Sequence, residues 1–192
     1  TATNAVIQRN GARTAFLTNT GFRDLLQIGR QNRPTLFDIT VVRPEQLVPR
    51  ELCFTARGRI GAAGEELEPL SEADVREAAA AMKAAGVEAV GILFLHSYAN
   101  GTHEKRARAI LEAEMPGVAV CASTDINSEF REYERASTTV LNAYLRPVME
   151  NYLRTLSGIL QDAETGLGLS ADRPVMVMDA AGGLMSLDSA RE

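Results

Sequence analysis

Apolar and polar residues alternate along this chain in two periods, and the changes between them mark out its elements. Thr3 and Asn4 stand before Ala5, Val6 and Ile7, the signature of an N-cap opening a short helix that Asn10-Gly11 stops. Arg13 to Thr18 predicts a strand, and Phe22, Leu25, Leu26 and Gly29 repeat at helical spacing. Gln31 to Pro49 carries three prolines among mixed polarity, so a long ordered loop is expected there. Glu51 to Ile60 has strand character, Gly61 to Gly64 turns the chain, and Glu65 to Pro69 returns as its partner. Ser71 followed by Asp74 gives a capping-box spacing for a helix that runs from Glu72 to Ala85 and ends at Gly86.

Val87 to Leu95 (VEAVGILFL) is nearly all apolar, as expected of a strand covered on both faces. A helix over Thr102–Glu114 and a strand over Val118–Ala122 follow, separated by Pro116-Gly117. Such alternation predicts an α/β fold, a mostly parallel sheet flanked by helices with right-handed crossovers. From Val140 onward an apolar stripe through Tyr144, Val148, Tyr152 and Leu156 predicts a long C-terminal helical segment. Pro147 lies inside it and predicts a kink between Ala143 and Pro147. Pro174 to Met178 reads as a last buried strand, and Asp179 to Gly183 as its turn into a new helix.

Composition narrows this picture only a little. The 192 residues are 45% hydrophobic and 23% charged, an ordinary globular balance. Ala, Leu and Val must fill most of the core, because aromatics are few and Trp is absent. A formal charge of −5 argues against a nucleic-acid face, which needs clustered Lys and Arg. Cys53 and Cys121 sit in apolar segments without a CxxC spacing and read as buried thiols of a reducing compartment. No apolar run approaches the roughly 20 residues of a membrane span, so a cytoplasmic protein with no membrane contact is expected. The chain starts without Met and stops just after a helix start, so both ends are expected to be cut from a longer protein.

Four groups of residues could carry chemistry. His96 stands at the C-terminal end of the most apolar strand, where open α/β sheets bind ligands, and is a candidate catalytic residue. His103 and Glu104 follow at a helix start, and with His96 would make three ligands for a divalent metal. Equally, the two histidines could simply cap a strand end and decorate a first helical turn. The cluster from Glu129 to Arg135 is either a solvated ion-paired face or a cleft wall. In the second case Arg135 grips a phosphate or carboxylate and Glu134 stands beside it as a catalytic acid or base. Gly182 and Gly183, with Thr3 and Asn4 at the other end of the chain, are candidates for holding a cofactor phosphate on backbone amides at a helix start. No Walker A loop, GxSxG elbow or Ser/His/Asp set is present.

Phrases throughout the chain resemble the hydantoinase A / 5-oxoprolinase family, which includes N-methylhydantoinase. They are TATNAVIQRNGARTAFLTNTGFRD, IGRQNRP, VVRPEQLVPR, GVEAVGILFLHSYAN, SEFREYERASTTVLNAYLRPVMENYL and the closing GGLMS, in family order. The resemblance implies part of an N-terminal domain of the actin/Hsp70/sugar-kinase (ribonuclease H-like) type. It implies one α/β domain over 1–192, with 180–192 opening the following hydantoinase A domain. It also implies ATP and Mg²⁺ as cofactors, a small cyclic amide as substrate, a hydantoinase B-type partner and an oligomeric assembly. The expected activity is ATP-dependent opening of hydantoin, N-methylhydantoin or 5-oxoproline through phosphoryl activation of the carbonyl oxygen. Ketone carboxylase subunits of the same family, and a non-catalytic docking module, stay open beside it. The family's DxGGTxxD phosphate motifs are absent, and Ala180-Ala181 replaces the usual Ser-Asn before Gly182-Gly183. By itself, then, this stretch is expected not to turn over ATP.

Overall fold

A computed structural model describes residues 2–32, 37, 40, 45–166, 176–178 and 182–186, and for 161–166 the backbone alone. The short helix α1 spans Ala2–Ile7 and strand β1 spans Thr14–Asn19, followed by the single turn α2 at Leu25–Ile28. After a 3-10 turn at Arg50–Leu52 come β2 (Cys53–Ala56), β3 (Arg59–Ile60) and β4 (Glu66–Glu68). Helix α3 (Glu72–Ala84), β5 (Ala89–Ile92), α4 (Thr102–Glu114) and β6 (Ala119–Ala122) complete the alternating part. The short α5 (Ser123–Ile126) leads to the 35-residue α6 (Glu132–Gly166), and β7 (Met176–Met178) pairs with β8 (Leu184–Ser186).

β1, β2, β5 and β6 form one parallel sheet in the order β2-β1-β5-β6. Every residue of β5 is buried, as the two-sided apolar run of Val87–Leu95 predicts, and so is every residue of β1. Helices α3 and α4 pack on each other and against β2 and β6 respectively. The N-terminal half of α6 lies across β5, β6 and β1 and also meets α2. This approach is close because position 91 is Gly: a Cβ there would stand 3.3 Å from Val140 Cγ2 and 3.4 Å from Val140 Cα. Cys53 and Cys121 are both buried free thiols, and burial pushes the Cys53 thiol up to about 11.

Several expectations need correction. The strand expected over 51–60 divides, so that β2 joins the parallel sheet while β3 turns away to pair antiparallel with β4. Gly58, at φ 141°, is the hinge between them, and Arg57 is anchored at the same point by Asp74. Ser71 does cap α3, accepting the Asp74 N–H at 3.3 Å. The reciprocal half of the capping box is missing, because Asp74 binds Arg57 and the Ser71 N–H goes to the Arg57 carbonyl at 2.9 Å. Helix α6 begins eight residues before Val140, at Glu132, and Pro147 lies inside it. Residues 184–186 are a strand rather than a helix start, and β7, expected to be buried, has Met176 and Met178 exposed.

Candidate functional site

Strand order fixes where a ligand crevice can lie. From β1 the chain moves outward to β2, then crosses back over β1 to β5 and continues to β6. The direction therefore reverses between β1 and β5, and open α/β sheets bind ligands outside the carboxyl ends of the strands at such a reversal. Asn19 ends β1 at this point, and Phe94, Leu95 and His96 follow the end of β5.

A buried polar network fills the strand ends. The buried Asn19 side chain accepts the Leu95 N–H at 2.7 Å and donates to the Gly58 carbonyl at 2.7 Å. Glu104 Oε1 accepts the Phe94 N–H (2.8 Å) and the Ser123 hydroxyl (2.7 Å), while Oε2 accepts the Thr124 N–H at 3.0 Å. Arg135 donates from Nη2 to the Phe94 carbonyl at 2.9 Å and from Nη1 to the Glu129 carbonyl at 2.7 Å. Its guanidinium lies 5.5 Å from the centre of the Tyr98 ring. Burial lowers the Arg135 pKa, opposed by the nearby charges of Glu104 and Glu132. His96 sits in the turn above this network at φ 56°, half-buried, with Nδ1 3.3 Å from the Tyr98 hydroxyl. The β3–β4 hairpin forms the neighbouring wall, tied on by Asn100 Nδ2 donating to the Gly64 carbonyl (2.8 Å) and by His103 Nε2 2.7 Å from Glu66 Oε1.

The structure thus brings His96, Glu104 and Arg135 to one strand-end cluster and separates them from the other candidates. His103 turns to Glu66 on the hairpin, and both oxygens of Glu104 already accept hydrogen bonds. Among the described residues no group of three or more His, Cys, Asp and Glu side chains could hold a metal ion. Glu134, the neighbour of Arg135 in sequence, points elsewhere and pairs with Arg30 at 2.6 Å. Thr3 and Asn4 lie exposed within α1 rather than capping it. Gly182 and Gly183 occupy the turn between β7 and β8, so the helix start expected to present their amides is not formed there. Neither pair therefore stands at the helix start expected to hold a phosphate.

Asn19, Ser123 and the hairpin were not legible as site components. A buried Asn at the end of a predicted strand is a recoverable signal, whereas Ser123 enters only because β6 lies beside β5. A hollow between α4, β6 and α6 is lined by Arg108, Cys121, Asp125 and Arg146, but Arg108 is paired with Asp125 (2.6 Å) and Arg146 with Glu150 (3.1 Å).

Residues 1–115 match the family described as hydantoinase/oxoprolinase N-terminal region, and residues 135–192 match hydantoinase/oxoprolinase. The chain is 36% identical to the caprolactamase subunit alpha of Pseudomonas jessenii over 95% of its own length and 26% of that protein. It is 31% identical to the 5-oxoprolinase of Saccharomyces cerevisiae over 96% of its length and 16% of that protein. The crystal structure of the ATP-dependent caprolactamase from Pseudomonas jessenii superposes with a TM-score of 0.84, covering 95% of this chain and 26% of that one. The nucleotide-free acetone carboxylase structure superposes with a TM-score of 0.82 at 29% identity, covering 99% of this chain and 28% of that one. The chain therefore spans about a quarter or less of the length of these relatives.

Proposed function

The chain belongs to the hydantoinase/oxoprolinase family, and on that premise we propose that it is part of a cytoplasmic, ATP-dependent hydrolase that opens small cyclic amides. The candidates are hydantoin, N-methylhydantoin and 5-oxoproline. The observation that carries this reading is the likeness to an ATP-dependent caprolactamase across nearly the whole chain. ATP and Mg²⁺ are the proposed cofactors, and a hydantoinase B-type subunit or domain is the proposed partner, in keeping with a relative named as an alpha subunit. No helix among the described residues is long and apolar enough to cross a membrane.

This region's proposed share in the reaction is the strand-end wall that carries His96. Opening an amide ring breaks a C–N bond, and the departing nitrogen must take up a proton. His96 is the proposed proton carrier. Its Nδ1 is held toward Tyr98 while Nε2 has no protein partner among the described residues, and it stands at the reversal point of the sheet. The second reading, a subunit of an ATP-dependent ketone carboxylase, is supported by the acetone carboxylase superposition.

The test is ATP hydrolysis by the full-length protein with its partner subunit, offered 5-oxoproline, hydantoins, or ketones with bicarbonate. Stimulation by a cyclic amide is the expected result, and His96→Ala is expected to lower kcat by 10²–10⁴-fold, the usual weight of general acid–base catalysis. Stimulation only by ketone and bicarbonate would move the assignment to carboxylase. No stimulation by any of them would leave a structural or docking role.

A further inference from the structure

Phe94 is gripped from both sides by opposite charges. Its N–H donates to Glu104 and its carbonyl accepts from Arg135. Both side chains are 0% exposed. Among the described residues neither forms an ion pair; Glu104 accepts from backbone N–H groups and the Ser123 hydroxyl, and Arg135 donates to backbone carbonyls beside the Tyr98 ring. A buried ion without a counter-charge is costly, and removing one member of a buried pair strands the other. Here the two charges balance each other across a single residue of backbone, and each strengthens a hydrogen bond that the other polarises.

The gripped residue is the first of a turn. The Phe94 carbonyl also accepts the Ser97 N–H at 3.4 Å, which places His96 third in the turn at φ 56°. That position favours Gly or Asn when φ is positive, so a histidine stays there only if its surroundings hold the backbone. Leu95, between them, is fastened by Asn19. Both oxygens of Glu104 accept hydrogen bonds and both terminal nitrogens of Arg135 donate to backbone carbonyls, while the buried Arg135 Nε–H has no partner among the described residues.

We infer that Glu104 and Arg135 are positioning residues, a charge-balanced clamp on Phe94 that holds the following turn and keeps His96 in left-handed backbone at the strand ends. The clamp stands on the geometry, whereas the effect of His96 on turnover rests on the function proposed above. The two are separable by measuring hydrogen exchange and turnover on the same full-length variants: Glu104→Gln, Arg135→Met, Arg135→Lys and His96→Ala. In Glu104→Gln and Arg135→Met, amide exchange across residues 93–98 is expected to rise at least about tenfold, as loss of a charge-assisted hydrogen bond implies. Exchange in β1 and α3 is expected to stay at the wild-type rate, and Arg135→Lys, which keeps the charge, to recover part of the protection. Glu104→Gln is expected to reproduce the kcat loss of His96→Ala with little change in KM.

Wild-type exchange over 93–98 in Glu104→Gln would overturn the clamp, and so would an equal rise throughout the chain. Should Arg135→Met fail to fold, Glu104→Gln and Arg135→Lys give the same decision. A local rise together with full turnover in His96→Ala would leave the clamp standing and remove His96 from the proposed reaction.

Discussion

His96 shows how a single residue separates local preference from tertiary demand. A side chain at φ 56° sits in a region that costs L-residues roughly 1–2 kcal/mol, less for those with polar groups close to the backbone. Replacing it by Gly removes that cost, offset by about 0.5–1 kcal/mol of extra chain entropy. A β-branched residue keeps the cost and adds to it. His96→Gly is therefore expected to hold or slightly raise the melting temperature, and His96→Val to fall about 1–3 kcal/mol below His96→Gly. A thermal-shift series decides it, since equal stabilities would mean that position 96 carries no such strain. The neighbouring candidates were partly legible. An acid in the first turn of a helix usually faces solvent near the positive end of the dipole, so nothing local marked Glu104 as buried. Arg135 and Glu134 are adjacent in sequence, yet about 100° of helical rotation sends one into the strand ends and the other to Arg30.

At the scale of elements, local rules worked where each element satisfied its own backbone. Helices α3 and α4 lie within a residue or two of the predicted spans, because Ser71 caps one and Pro116-Gly117 closes the other. They failed where an element took its partner from elsewhere, as when the apparent strand at 51–60 was shared between two sheets. Arg57 and Asp74 lock that division. Asp74 accepts Arg57 Nη2 at 2.7 Å, Nε at 2.8 Å and its backbone N–H at 3.0 Å, with an added bond to Ser71. The Arg57 side chain holds the Asp74 carboxyl well below the usual carboxylate range. A depressed folded pKa gives stability that is complete above the unfolded value, about 3.9, and is lost as pH falls toward the folded one. Asp74→Asn is thus expected to lower stability by about 1 kcal/mol, partial exposure keeping the figure small. The difference from wild type should be constant from pH 8 to about 5 and shrink only below about pH 4. A gap that widened on acidification would contradict the assignment.

At the scale of the whole molecule, one side chain joins the parallel sheet to the β3–β4 hairpin. Asn19 links the parallel sheet, through Leu95, to the β3–β4 hairpin, through Gly58, and no other buried residue described makes both connections. Asn19→Ala would leave a buried N–H and a carbonyl without partners, at about 2 kcal/mol in total. Amide exchange is expected to accelerate together at 57–60 and at 95–98, although the two segments are far apart in sequence. Acceleration at only one of them would show that the hairpin is held by Asn100 and His103 instead.

The sequence by itself determined the apolar periods, the caps and breakers, the parallel α/β class and the phrases that mark the family, because all of these are local or carried by residue order. It also placed His96 at a strand end. Only the tertiary structure decided that Glu104 and Arg135 are buried and hydrogen-bonded to backbone, that His103 on α4 meets Glu66 of the hairpin, and that β1 and β5 meet where the sheet reverses. Those outcomes turn on which strands become neighbours. A carboxylate or guanidinium is read as solvated until its neighbours are known, and long-range strand pairing supplies those neighbours.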